Sequence, residues 1–168
     1  MIPAASQILQ PVRLSTIVAS FVGALLLDFL PWPDLRLVPD FVALVIVFWC
    51  VRQPRLVGLG VAWTLGLLTD AGNGVLLGEH ALAYSLAAFI ALWLSRRILW
   101  FGSGLQSLHV ALILLTAQAA QLVVRLAAGD PFPGWTLFVG PLVAAALWPA
   151  ASWLLLRPQR RPEREPAI

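Results

Sequence analysis

The chain has no lysine, a single cysteine and few charged residues of any kind, and each shortage removes a class of function. Its net charge of +3 rests on arginine alone. Most arginines stand at the ends of apolar runs rather than along one basic face, which excludes a nucleic-acid partner. Cys50 has no second cysteine to pair with and lies inside an apolar run, so an intramolecular disulfide and a Cys/His metal cluster are excluded. A small buried core residue is expected there. Without lysine, the turn "FGSG" at 101–104 lacks the cation of a phosphate loop, and its flanks are not those of a nucleophile elbow. His80 and His109 are far apart in sequence and fall at opposite ends of the expected topology, which makes no metal pair; His80 reads as an ordinary helix-start residue. No Ser/His/Asp set converges, and no paired carboxylates flank a place where water could attack. The reading is therefore non-enzymatic, with no cofactor. No internal repeat of the kind that marks an inverted-repeat transporter stands out.

What is present is apolar. With 60% hydrophobic residues, 11% charged residues and a mean hydropathy of +0.87, the chain has too few polar side chains to cover a water-facing surface. This is the composition of an integral membrane protein. Apolar runs lie at about 14–31, 37–51, 56–72, 81–99, 106–128 and 135–156. Each is of spanning or near-spanning length, which predicts an all-α, polytopic protein of six transmembrane helices in one bundle. The first run is longer than a signal-peptide core and has no cleavage pattern after it, so it is expected to be retained. The second run is short; Pro39 ends the segment before it and Asp40 can cap it, so part of 31–39 is expected to approach as a re-entrant or interfacial segment. Residues 1–156 form the expected membrane domain. The Arg/Pro-rich residues 157–168 read as a disordered cytoplasmic tail able to touch anionic lipid.

If the spans alternate, nine arginines fall on one side and only Arg36 and Arg125 on the other, which places both termini in the cytoplasm. Asp28, Asp34, Asp40, Asp70, Glu79 and Asp130 then gather at the outer face. Trp32 and Trp135 fall at the outer interface, and Trp93, Trp100 and Trp153 at the inner one. Trp63 and Trp148 lie deeper and read as packing bulk. The inner turns carrying Arg52/Arg55 and Arg96/Arg97 have topology as their default explanation, with a lipid-linked precursor as the alternative.

Within the third run, Gly58, Ala62, Gly66 and Asp70 recur every four residues, a small-residue stripe that lets a neighbouring helix approach closely. Asp70 has two readings: hydrogen bonding to the glycine-rich turn "AGNG" that follows it, or an ion pair. Gln118, Gln121 and Arg125 form a polar face on the fifth run whose last member falls at the depth of Asp70 and Asp28. An Arg125 pair with one of those aspartates is the expectation, against simple snorkelling of Arg125 to headgroups.

Several of these features also occur in a fixed order. Pro39 and Asp40 open the second run; Trp49 precedes a short Arg/Pro turn with Pro54. The small-residue third run, with Gly58 and Gly66, ends in Leu-Leu-x-Asp at Asp70; Gly74, Leu77 and Gly78 make G-x-x-L-G. In this order and spacing the stretch from Pro39 to Leu94 resembles the bacterial rod shape-determining protein MreD family. The resemblance marks Asp40, Pro54, Gly58, Gly66, Asp70, Gly74 and Gly78 as structural or interaction residues, to which the polar-face reading adds Arg125. It implies an inner-membrane scaffold of the cell-wall elongation complex that couples MreB and MreC to peptidoglycan synthesis. MreC is the implied direct partner; MreB, RodA and its penicillin-binding protein belong to the larger complex. The family is also similar to the substrate-binding subunits of energy-coupling-factor transporters. That makes a small-solute-binding membrane subunit the alternative, with Asp70, Glu79, His80 and Gln121 as the polar residues of its pocket.

Overall fold

The computed structural model describes residues 12–32 and 38–159. Among these every regular element is helical: α1 Leu14–Asp28, α2 Phe41–Arg52, α3 Leu59–Asn73, α4 Glu79–Trp100, α5 Ser103–Ala127 and α6 Val139–Leu156. Short 3-10 turns at Trp135–Phe138 and Arg157–Gln159 flank α6. Five of the expected approach residues, 33–37, lie outside the described residues. So does 160–168 of the expected tail, whose first three residues make the second 3-10 turn.

The helices run up and down. Hydrogen bonds join the end of α1 to the start of α2 and the end of α3 to the start of α4, and the end of α5 bonds to the start of α4. At the other end, Trp148 in the second half of α6 donates to Gln106 in the first turn of α5. Short connections between antiparallel neighbours dictate this order.

The hub is α2. Every residue from Val42 to Val51 is buried, and a helix that is apolar all round belongs inside a bundle. Its one polar indole, Trp49, donates to Ser20 Oγ on α1 at 2.8 Å. Phe48 meets both Trp49 and Trp148 edge-on or tilted, with ring centroids 4.9 and 5.8 Å away. Trp148 is thus core bulk, as read from the sequence; Trp63 is not, being 52% exposed on the outside of α3. Trp63 faces outward because the opposite side of α3, with Ala62, Gly66 and Asp70, is the one packed on α4.

The exterior is apolar. Leu14, Val18, Val22 and Leu26 make an exposed stripe on α1; Phe89 and Trp93 on α4 and Leu108 and Leu112 on α5 continue the surface. An apolar surface of this extent is stable in lipid, not in water. Three segments are long and apolar enough to cross a bilayer: α4, α5 and Trp135–Gln159. By rise per residue α1 and α3 are about 22 Å long and α2 about 18 Å, short of a 30 Å core.

Charge is segregated by end. Asp28, Asp40, Asp70, Glu79 and Arg125 sit at one end of the bundle, and Arg13, Arg52, Arg55, Arg96, Arg97 and Arg157 at the other.

Candidate functional site

The acidic end of the bundle is a buried polar knot, and its centre is Asp70. This residue is 0% exposed. Its carboxylate leaves α3 and closes the start of α4 instead, accepting the amides of Gly78 and His80 at 2.8 Å each and that of Ala81 at 3.4 Å. Its fourth partner is His80 Nδ1 at 2.8 Å. The cap residue Gly78 has no side chain to satisfy the first turn of α4, so a neighbouring helix supplies the anion that the helix start favours.

The backbone around Asp70 is shaped to make this reach possible. Gly74 ends α3 in the left-handed region at φ 63°, and its amide and that of Val75 return to the Asp70 carbonyl. Gly78 takes φ 105°, a conformation that side-chain-bearing residues resist, and delivers its amide to the carboxylate. One turn back, Gly66 lies directly against α4; a Cβ there would overlap the backbone of Ala81 and His80. Close approach at Gly66 is what lets a side chain as short as aspartate cap the next helix.

The same device serves the first pair of helices. Asp28, the last residue of α1, accepts the amides of Phe41 and Val42 at 3.0 and 3.1 Å. Asp40 caps α2 from its own side by accepting the Ala43 amide at 2.7 Å, and also takes the Tyr84 hydroxyl of α4 at 2.9 Å. The His80 and Tyr84 rings meet edge to face, with centroids 5.6 Å apart, which links the two caps. Glu79 pairs with Arg125 of α5, Nε to Oε1 at 2.6 Å, with the glutamate 3% and the arginine 29% exposed. Gln118 donates to Gln121 at 2.9 Å on the same helix.

The structure thus brings Asp40, Gly66, Asp70, Gly74, Gly78 and Arg125 to one end of the bundle. Pro54 and Gly58 lie at the other end, in the exposed turn before α3 and at its N-cap. Gly58 also departs from the small-residue stripe: nothing lies within 4 Å of where its Cβ would be. Its position, one residue ahead of α3, takes it off the helix face that the periodicity projects. The expected Arg125 pair with Asp70 or Asp28 is corrected as well. Both aspartates are taken up by helix-start amides, and Arg125 finds Glu79, which depth alone did not distinguish from them. His80, expected as an ordinary helix-start residue, is a buried partner of Asp70. A usable signal for the Asp28 role was the repetition of Leu-Leu-x-Asp at 25–28 and 67–70.

Chemically, this end holds Asp28, Asp40, Asp70 and Glu79 as hydrogen-bond acceptors already in use. Among the described residues no three His, Cys, Asp or Glu side chains come together as a metal site.

The profile of the rod shape-determining protein MreD family matches residues 10–157. A rod shape-determining protein MreD from Haemophilus influenzae is 34% identical over 152 residues, covering 87% of this chain and 91% of the relative. No solved structure matches the chain. The family match covers all six helices and both capped hairpins, and with it the chain belongs to the rod shape-determining MreD family of membrane proteins.

Proposed function

We propose that this chain is a six-pass inner-membrane scaffold of the cell-wall elongation complex, with both termini in the cytoplasm, that couples MreB and MreC to peptidoglycan synthesis. In this reading MreC is the direct partner, and RodA and the elongation penicillin-binding protein are reached through the larger assembly. Asp40, Gly66, Asp70, Gly74, Gly78 and Arg125 serve it as the lock that holds the bundle in one shape; Pro54 and Gly58 belong to the turn at the arginine end. All six helices cross, the short α2 being sheathed by its neighbours rather than by lipid.

The observation that carries the proposal is where the polar atoms go. A solute-binding subunit needs Asp70, Glu79, His80 and Gln121 free to meet a ligand, and in this bundle each bonds to another part of the protein. A groove of about 740 Å³ between α1, α2 and α6 is lined almost wholly by apolar side chains. A protein whose surface is apolar and whose acids are committed works through contacts inside the bilayer.

Affinity purification from membranes after mild crosslinking, read by mass spectrometry, tests this. Recovery of MreC- and RodA-type proteins, with rounding of cells on depletion, is the expected result. Recovery of coupling ATPases without cell-wall partners overturns it in favour of a solute-binding subunit.

A further inference from the structure

The arginine end holds a feature that the scaffold reading leaves unexplained. Between the end of α2, the first turn of α5 and the second half of α6 lies a cavity of about 360 Å³, whose lining includes Arg52, Ser103, Gln106, Trp148, Ser152 and Trp153. Among the described residues Arg52 Nε and Ser152 Oγ are buried and make no hydrogen bond. Native interiors leave few such groups without a partner, and both of these belong to residues that line the cavity, a costly arrangement unless something meets them. Arg52 ends α2, where a cation suits the helix dipole, but a surface position in the turn would satisfy the dipole equally well without burial.

The chemistry of the lining is one-sided. Arg52 carries only donors. The hydroxyls of Ser103 and Ser152 can donate, and α5 begins here with Gly102 as a cap that has no side chain, so its first amides are unclaimed by any side chain. Gln106, the remaining polar group, is spent: its Oε1 accepts from Trp148 and its Nε2 donates to the Phe101 carbonyl. It braces the wall. No acidic residue among the described ones lies at this end, since Asp28, Asp40, Asp70, Glu79 and Asp130 are all at the other. A guanidinium with hydroxyl and amide donors around it, and no carboxylate beside it, selects an anion with several oxygens.

Depth narrows the anion further. Trp153 is 49% exposed at the cavity's edge, and the Arg157 guanidinium lies over its ring at 4.1 Å from the centroid. With Trp100 and Trp93 also exposed toward this end, the cavity sits in the belt where indoles and arginines meet lipid headgroups.

We infer that this cavity binds a phosphate group at the bilayer surface, with Arg52 as the anchoring cation and Ser152, Ser103 and the first amides of α5 as further donors. The phosphate belongs to a lipid headgroup or is free in the aqueous phase, and the two sources share the same recognition. The site goes beyond the scaffold proposal and stands or falls separately from it.

Native mass spectrometry of the full chain in detergent, titrated with dioleoyl phosphatidylglycerol, dioleoyl phosphatidic acid, dioleoyl phosphatidylcholine or inorganic phosphate, tests the assignment. Saturable binding of the anionic lipids is expected, weakened about tenfold by Arg52→Gln, as loss of a charge-assisted hydrogen bond implies. Arg55→Gln removes an exposed cation at the same end that does not line the cavity, and leaves binding unchanged. Ser152→Leu keeps every charge and fills the cavity; it abolishes the rise in melting temperature that anionic lipid gives the parent chain. This variant decides the matter should Arg52→Gln fail to fold. Inorganic phosphate that binds and competes with lipid assigns the free anion; lipid binding without phosphate competition assigns the headgroup. Equal losses with Arg52→Gln and Arg55→Gln, or lipid-dependent stabilisation that survives Ser152→Leu, overturn the proposal, as does binding of neither probe.

Discussion

Asp70 closes a helix to which it does not belong, and that sets what its replacement costs. Alanine leaves three helix-start amides and His80 Nδ1 without their acceptor in a buried place. A lost cap is worth about 1 kcal/mol and each buried orphan donor about 1 to 3 kcal/mol more. Asparagine keeps one acceptor oxygen and turns an NH2 toward donors, so it is expected to fall between alanine and the parent. Thermal unfolding of the three proteins in detergent should give that order; an asparagine variant as stable as the parent would show that the charge and second oxygen do not matter. The Glu79–Arg125 pair behaves asymmetrically because its members are unequally buried. Arg125→Ala strands a buried carboxylate and should cost about 3 kcal/mol, whereas Glu79→Gln leaves an arginine able to reach headgroups and should cost less. Equal losses in the two variants would count against that reasoning. These partners were only half legible in the sequence. The depth of Asp70, Glu79 and Arg125 followed from hydropathy and arginine placement, but which carboxylate meets which donor depends on rotation of each helix about its axis, and hydropathy carries little of that.

At the scale of the element, the α3–α4 contact depends on one missing Cβ. At Gly66 the added atom meets backbone, which cannot rotate away as a side chain would. Gly66→Ala should therefore lower stability by about 1 to 3 kcal/mol through overpacking, and Gly66→Leu by more. Gly58→Ala, on the same four-residue repeat, should change stability by no more than about 0.5 kcal/mol, because the space around it is open. Melting temperatures of these variants separate a contact stripe from a mere repeat; similar losses at 58 and 66 would mean that the stripe acts as one surface. Helix extents were readable from apolar runs: 56–72 became Leu59–Asn73 and 106–128 became Ser103–Ala127. What the runs did not carry was burial. α2 reads as a short span by composition, and only its place among α1, α4 and α6 shows that every residue from Val42 to Val51 is buried by other helices. Trp63 failed for the converse reason, since a tryptophan inside an apolar run suits lipid as well as core.

For the whole molecule, the difference in charge between the two ends makes a prediction of how the bundle sits. The arginine end carries Arg13, Arg52, Arg55, Arg96, Arg97 and Arg157, and the acidic end has Arg125 neutralised by Glu79. Cations near span ends are retained on the cytoplasmic side, so the knot of Asp70 should face outward. Cys50 is buried, which keeps the native thiol away from an aqueous reagent and leaves a quiet background for single introduced cysteines. Asp130→Cys, just past α5, and Arg55→Cys, between α2 and α3, lie at opposite ends. In spheroplasts a membrane-impermeant maleimide should label position 130 and spare position 55 until the cells are lysed. Labelling of 55 alone inverts the topology. Labelling of both before lysis means that α3 to α5 do not cross as an odd number of spans, and the six-pass arrangement is then lost with the orientation.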